Sequence, residues 1–68
     1  MKNCIAALRK ERNWTQQALA EKLSVSRQTI ISLEKGRYDP SLRLAHDLAV
    51  VFGCAIEKVF IFDEEVEK

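Results

Sequence analysis

The sequence is poor in the residues that interrupt helices. One proline and two glycines in 68 positions leave few sites for the turns of a strand-rich fold, so short helices are expected. No apolar run approaches the ~20 residues that a membrane-spanning helix needs. The opening MKNCIAALRK lacks the apolar segment of a secretory signal, so a cytoplasmic chain without a membrane partner is expected. Cysteine is confined to Cys4 and Cys54, which lie too far apart for a metal or redox motif. A site built from these two and His46 would lack the closely spaced ligand pairs of a zinc site. Both thiols therefore read as small, buried or half-buried hydrophobes. His46 and Asp47 are neighbours that do not share a helix face, and no nucleophile accompanies them. Neither catalysis nor a bound cofactor is expected.

Net charge is also low, at +1, but its distribution is uneven. Residues 1–44 hold nine Lys/Arg against four acids, while residues 45–68 hold two against six. A basic front and an acidic back suit a chain that presents one end to phosphate.

The apolar spacing marks five short helices. Asn3 is expected to cap the first, which runs to about Arg12 with Ile5 and Leu8 inward. Thr15 caps a second over 16–23, whose inner stripe is Leu19, Ala20 and Leu23. Ser24 and Val25 form a tight turn. Ser26 caps the third, with Ile30 and Leu33 inward and Gly36 as a left-handed stop. A fourth follows Pro40, capped by Asp39 or by Ser41, burying Leu42, Ala45, Leu48, Ala49 and Phe52 and ending at Gly53. IEKVF adds about one more turn over 56–60, and FIF admits a short C-terminal strand before an acidic tail from Asp63. Trp14 reads as a core residue at the entry to the second helix.

Two helices joined by a three-residue turn, the second opening on polar residues, form a helix-turn-helix unit over about 16–35. This explains why SVSRQTIISLEKG crowds Arg27, Gln28 and Thr29 into one helical turn. A helix in the major groove of double-stranded DNA reaches base edges with its first turn and outward face. Arg and Gln are the side chains that bond guanine and adenine in bidentate fashion. Ile31 and Ser32 follow on the same face. The start of the second helix, with Gln16 and Gln17, offers unsatisfied N–H groups to a phosphate. Ser26 and Thr29 at the start of the third helix, and Lys35, Arg37 and Tyr38 at its far end, complete the expected phosphate contacts.

The segment WTQQALAEKLSVSRQTIISLEKGRYDPSLRLAHDLAVVFG resembles the helix-turn-helix domain of Cro/C1-type (XRE-like) repressors. The likeness spans about residues 3–60. It rests on TQ opening the second helix, LA..L within it, VS in the turn, EKG closing the third and PSL......A..FG beyond. The resemblance implies an all-α, five-helix, lambda-repressor-like DNA-binding domain acting in transcription regulation. It implies base contacts from Arg27, Gln28 and Ser32, and for Gln16 a phosphate contact that also buttresses the recognition helix. It further implies a buried ion pair between Arg9 and Glu34. Three departures stand out. Ala18 replaces a common Glu, so the reciprocal capping box with Thr15 is missing. Ser24 replaces a common turn Gly. Ala55 replaces a capping Ser or Thr before the last helix. Ile31, where relatives are usually polar, has the chemistry to pack on a thymine methyl; the alternative is an isoleucine merely exposed or packed at the rim.

Val50 lies on the outer side of the fourth helix, and Val59, Phe60, Ile61 and Phe62 form an apolar cluster at the C-terminal end. These five residues are the expected interface of a homodimer, which matches a two-fold operator. The alternative is an antitoxin-like interaction protein that docks a partner protein on this same end.

Overall fold

The inner stripes of the five expected helices converge on one core in the computed structural model, which describes residues 1–62. The helices are α1 (Ile5–Glu11), α2 (Gln16–Leu23), α3 (Arg27–Glu34), α4 (Leu42–Phe52) and α5 (Ile56–Val59). Ile5, Leu19, Ile30, Leu33 and Leu48 are fully or almost fully buried, and Ala20, Leu23, Ala45 and Phe52 fill the space between them. The acidic tail from Asp63 lies outside the described residues. No helix among the described residues is long and apolar enough to cross a membrane.

Local chemistry sets most helix boundaries. Thr15, Ser26 and Ser41 each accept a hydrogen bond from the backbone N–H three residues on, satisfying one of the donors left open at a helix start. Ser41 thus caps α4, and Asp39 does not. Gly36 and Gly53 take left-handed backbone after α3 and α4, with φ of 71° and 68°. Asn3 departs from its expected place. Cys4 occupies the cap position of α1 without a side-chain bond. Asn3, one residue earlier, accepts from the Ile5 N–H at 3.1 Å.

Two parts of the expected burial are corrected. Leu42 is 82% exposed, because the buried stripe of α4 begins at Leu44 and continues through Ala45, Leu48 and Phe52. Leu42 falls on the same outer side as Val50, eight residues on, which is two helical turns. Val59 and Phe60, assigned to a dimer surface, are instead core residues of the single chain, at 0% and 1% exposed. The reason is a return of the chain along its own N-terminal segment. Cys4 N–H donates to the Val59 carbonyl at 2.7 Å, and Ile61 N–H donates to the Lys2 carbonyl at 2.9 Å. This pairing swings Val59 and Phe60 inward and leaves Ile61 and Phe62 exposed. The expected strand reduces to an isolated antiparallel bridge between Asn3 and Phe60.

The helix-turn-helix is held from behind by charge. Arg9 on α1 donates from Nε to Glu34 Oε2 at 2.6 Å and from Nη2 to Oε1 at 3.2 Å. Its remaining Nη1 donates to the Trp14 carbonyl at 2.9 Å. Gln16 on α2 donates to the same Glu34 Oε1 at 3.1 Å. Both charged side chains are about nine-tenths buried. Glu34→Ala is expected to cost about 3–5 kcal/mol, because it strands the buried Arg9 guanidinium rather than merely deleting a contact. Urea denaturation of the variant against the parent measures this loss.

Candidate nucleic-acid interface

The turn between α2 and α3 fixes which residues face outward. Ser24 adopts left-handed backbone at φ 58°, the conformation that glycine tolerates best. Val25 then packs against the core and Ser26 starts α3. With Ile30 and Leu33 buried, the helical period turns Arg27, Gln28, Ile31 and Ser32 away from the core. Arg27 and Gln28 are exposed, while Ile31 and Ser32 are half-buried.

Ser26, Gln28, Thr29, Ser32, Arg37 and Tyr38 line one shallow depression. Residues of the first turn of α3 are therefore gathered with residues from the loop after it. Among the described residues, Arg27, Gln28, Lys35 and Arg37 have no side-chain hydrogen bond or ion pair. Their donors are open to a ligand. Neither α2 nor α3 has an acid in its first turn, so no carboxylate competes for the positive helix ends. Such a surface combines point cations, oriented N–H groups and planar amide or guanidinium tips, which is what a duplex backbone and its base edges require.

Other expected contact residues are already engaged within the chain. The Ser26 hydroxyl accepts from the Thr29 N–H at 3.1 Å and lies 3.0 Å from the Thr29 hydroxyl. Gln16 is directed to Glu34, which supports the buttressing role. Gln17 donates to Glu21, one turn along α2, at 3.1 Å. Tyr38 is 43% exposed. His46 and Asp47 meet only at 3.4 Å on an exposed stretch of α4, where Asp47 also pairs with Arg43.

One contributor escaped the sequence reading. Arg12 donates to the Phe52 carbonyl at 2.6 Å and to the Leu8 carbonyl at 3.0 Å, tying the ends of α1 and α4 together. Its guanidinium lies 5.2 Å from the Phe52 ring, which stacks on Trp14 at 5.8 Å. Lys22 covers Trp14 at 4.6 Å from its ring centre. A basic residue near a helix end is a weak sequence signal, and its long-range acceptor is visible only in the folded chain.

Comparison with known proteins now decides the family. A helix-turn-helix family model matches residues 5–59. The chain belongs to the Cro/C1-type helix-turn-helix family. Its members are DNA-binding regulators of transcription that act on double-stranded DNA and are not enzymes. An uncharacterised helix-turn-helix-type transcriptional regulator of Methanocaldococcus jannaschii is 54% identical over 96% of this chain and 98% of its own length. Another, from Methanothermobacter thermautotrophicus, is 54% identical over the full length of both chains. The immunity repressor of Bacillus phage phi105 is 38% identical over 93% of this chain and 47% of its own length. Among solved structures, a transcriptional regulator from Listeria innocua superposes with a TM-score of 0.79 at 22% identity. It covers 98% of this chain and 66% of that one, which supports the five-helix, all-α fold.

Because Ser24 holds a left-handed backbone that its Cβ disfavours, Ser24→Gly is expected to raise stability by about 0.5–1 kcal/mol. DNA affinity per folded molecule is expected to stay unchanged. Urea denaturation and a DNA titration on the same samples check the two statements.

Proposed function

We propose that this chain is a repressor that recognises a two-fold DNA operator as a homodimer, with α3 in the major groove. The observation that carries the reading is the open outward face of α3. Arg27 and Gln28 stand exposed and unbonded there, and Gln28 shares a depression with the unbonded cation Arg37. In this reading Arg27, Gln28, Ile31 and Ser32 read bases. Gln16, Gln17, Ser26, Thr29, Lys35, Arg37 and Tyr38 hold the backbone around them. Gln16 serves through its bond to Glu34 as well as through the α2 N-terminus. The name of the phage immunity repressor favours repression over activation.

The dimer surface in this reading is the outer side of α4 with the end of the described chain. Leu42 and Val50 are 82% and 65% exposed, and Ile61 and Phe62 are 41% and 50% exposed. Leu42 and Val50 share a groove with Ala49, Cys54 and Ile56, and Leu42 shares a second with Phe60 and Phe62. Apolar side chains this exposed in so short a chain call for a covering partner. A second copy satisfies that need and supplies the symmetry of a two-fold site.

Selection of preferred sites from a random duplex pool at physiological salt tests the reading directly. The expected product is a two-fold symmetric site with half-sites about one helical turn apart. Gln28→Ala is then expected to lose about 1–3 kcal/mol of discrimination at one base pair while keeping non-specific binding. A uniform loss across all sequences would instead make Gln28 a backbone contact.

Val50→Glu places a charge on the proposed interface. It is expected to yield a folded monomer whose operator affinity falls by about 10²-fold or more, through loss of bivalent binding. Light scattering and circular dichroism check the mass and the fold. If the parent protein is itself monomeric at tens of micromolar, the homodimer is wrong. A stoichiometric partner protein would then be the occupant to seek.

A further inference from the structure

Asn3 makes contacts that neither capping nor the core requires. Its Oδ1 accepts from the Ile5 N–H at 3.1 Å, as a capping side chain would. Its Nδ2 spends one proton on the Met1 carbonyl at 3.1 Å and the other on the Leu33 carbonyl at 2.7 Å. Leu33 lies in the last turn of α3, and its carbonyl also accepts from the Gly36 N–H. Asn3 therefore clamps the far end of the helix that faces DNA. The backbone of Asn3 meanwhile forms the bridge to Phe60, flanked by the Cys4–Val59 and Lys2–Ile61 bonds. Met1 N also donates to the Gly36 carbonyl just past α3, at 2.9 Å. Two hydrogen bonds, of which that of Asn3 is the side-chain one, thus join the end of α3 to the segment paired with Phe60 and Ile61.

The other side-chain anchors of α3 run elsewhere. Glu34 is held by Arg9 and Gln16, which belong to α1 and α2. These bonds fix α3 within the helix-turn-helix but do not reach the C-terminal end. Among the described hydrogen bonds to the last turn of α3, the Asn3 amide is the side-chain bond whose own backbone is also paired with that end. Its carboxamide is suited to this. It has two donors and an acceptor on a short, planar group, so it joins three backbone groups, two of the N-terminal segment and one of α3, with little conformational freedom.

We propose that Asn3 is a positioning residue that fixes α3 relative to the Ile61–Phe62 end, and so sets the separation of the two recognition helices in the dimer. The proposal rests on the homodimer reading above. Its consequence is specific. Asn3 does not read bases, so the preferred sequence within a half-site is independent of it. The tolerated spacing between half-sites depends on it, because a helix free to tilt or slide against the dimer end fits several spacings about equally.

The test uses the full chain and duplexes carrying the two selected half-sites, with the spacer varied one base pair at a time. Asn3→Asp keeps the acceptor for Ile5 but removes the donor to Leu33. It is expected to reduce discrimination between the best spacer and its neighbours by about fivefold or more, within the usual range of coupling between sites. Half-site base preferences are expected to match the parent. Val51→Ala, which trims a partly buried α4 side chain outside the clamp, controls for general loosening and is expected to retain the parent's spacer preference. If Asn3→Asp does not fold, Asn3→Ser, shorter and uncharged, is read in its place. A variant that binds more weakly but with an unchanged spacer profile overturns the proposal. So does flattening by Val51→Ala to the same degree. If the parent itself shows no spacer preference, the homodimer reading fails and takes this one with it. That result is distinguishable because it appears before any variant is made.

Discussion

The Arg9–Glu34 ion pair is the constraint on which the arrangement of the helix-turn-helix depends. Helices of seven or eight residues have little stability of their own, since each must offset a costly nucleation with few hydrogen bonds. They persist because their apolar faces meet in one core, and hydrophobic contact is non-directional. Directionality has to come from polar geometry. The fork of Arg9 fits the two oxygens of Glu34 in one orientation, and Gln16 closes the remaining space on Oε1. Three helices are thereby tied at one carboxylate. The cost of burying these charges is offset because each finds several partners, including the Trp14 carbonyl.

That internal satisfaction also explains the character of the outer face. Polar groups on the inner side of the helix-turn-helix are consumed by one another, and the caps consume Thr15, Ser26 and Thr29. Arg27, Gln28, Lys35 and Arg37 have no such partners among the described residues. A low net charge is thus compatible with binding DNA. Six of the ten acids lie in residues 45–68, while residues 1–44 hold nine of the eleven Lys and Arg. For a regulator this division has a kinetic benefit, since local positive potential steers encounter with phosphate.

The three middle helices were legible in the sequence because their caps, inner stripes and stops are local. Ser26, Ile30, Leu33 and Gly36 lie within one short segment, and each acts through neighbours a few positions away. The α4 stripe was misjudged at its start. Leu42 and Leu44 are both apolar and two apart, so periodicity alone allowed either to lead inward. The cap at Ser41 and the packing of Leu44 decided it, leaving Leu42 beside Val50 on the outside. Exposed apolar residues were rightly sought at the C-terminal end, but two of them, Val59 and Phe60, were needed for the core of the chain itself.

The sequence by itself determined the helix count, the family, the turn and the ends of α3. All of these depend on residue type and short spacing, which the chain carries in every conformation. Only the tertiary structure decided how the two ends of the described chain meet. The pairing of Lys2, Asn3 and Cys4 with Val59, Phe60 and Ile61 joins backbone groups that have no signature in side-chain type. The same holds for Asn3 against Leu33 and Arg12 against Phe52, where a common polar side chain finds a carbonyl remote in sequence. Backbone carbonyls are alike at every position, so which one a side chain reaches is settled by packing, once the apolar faces have brought the helices together.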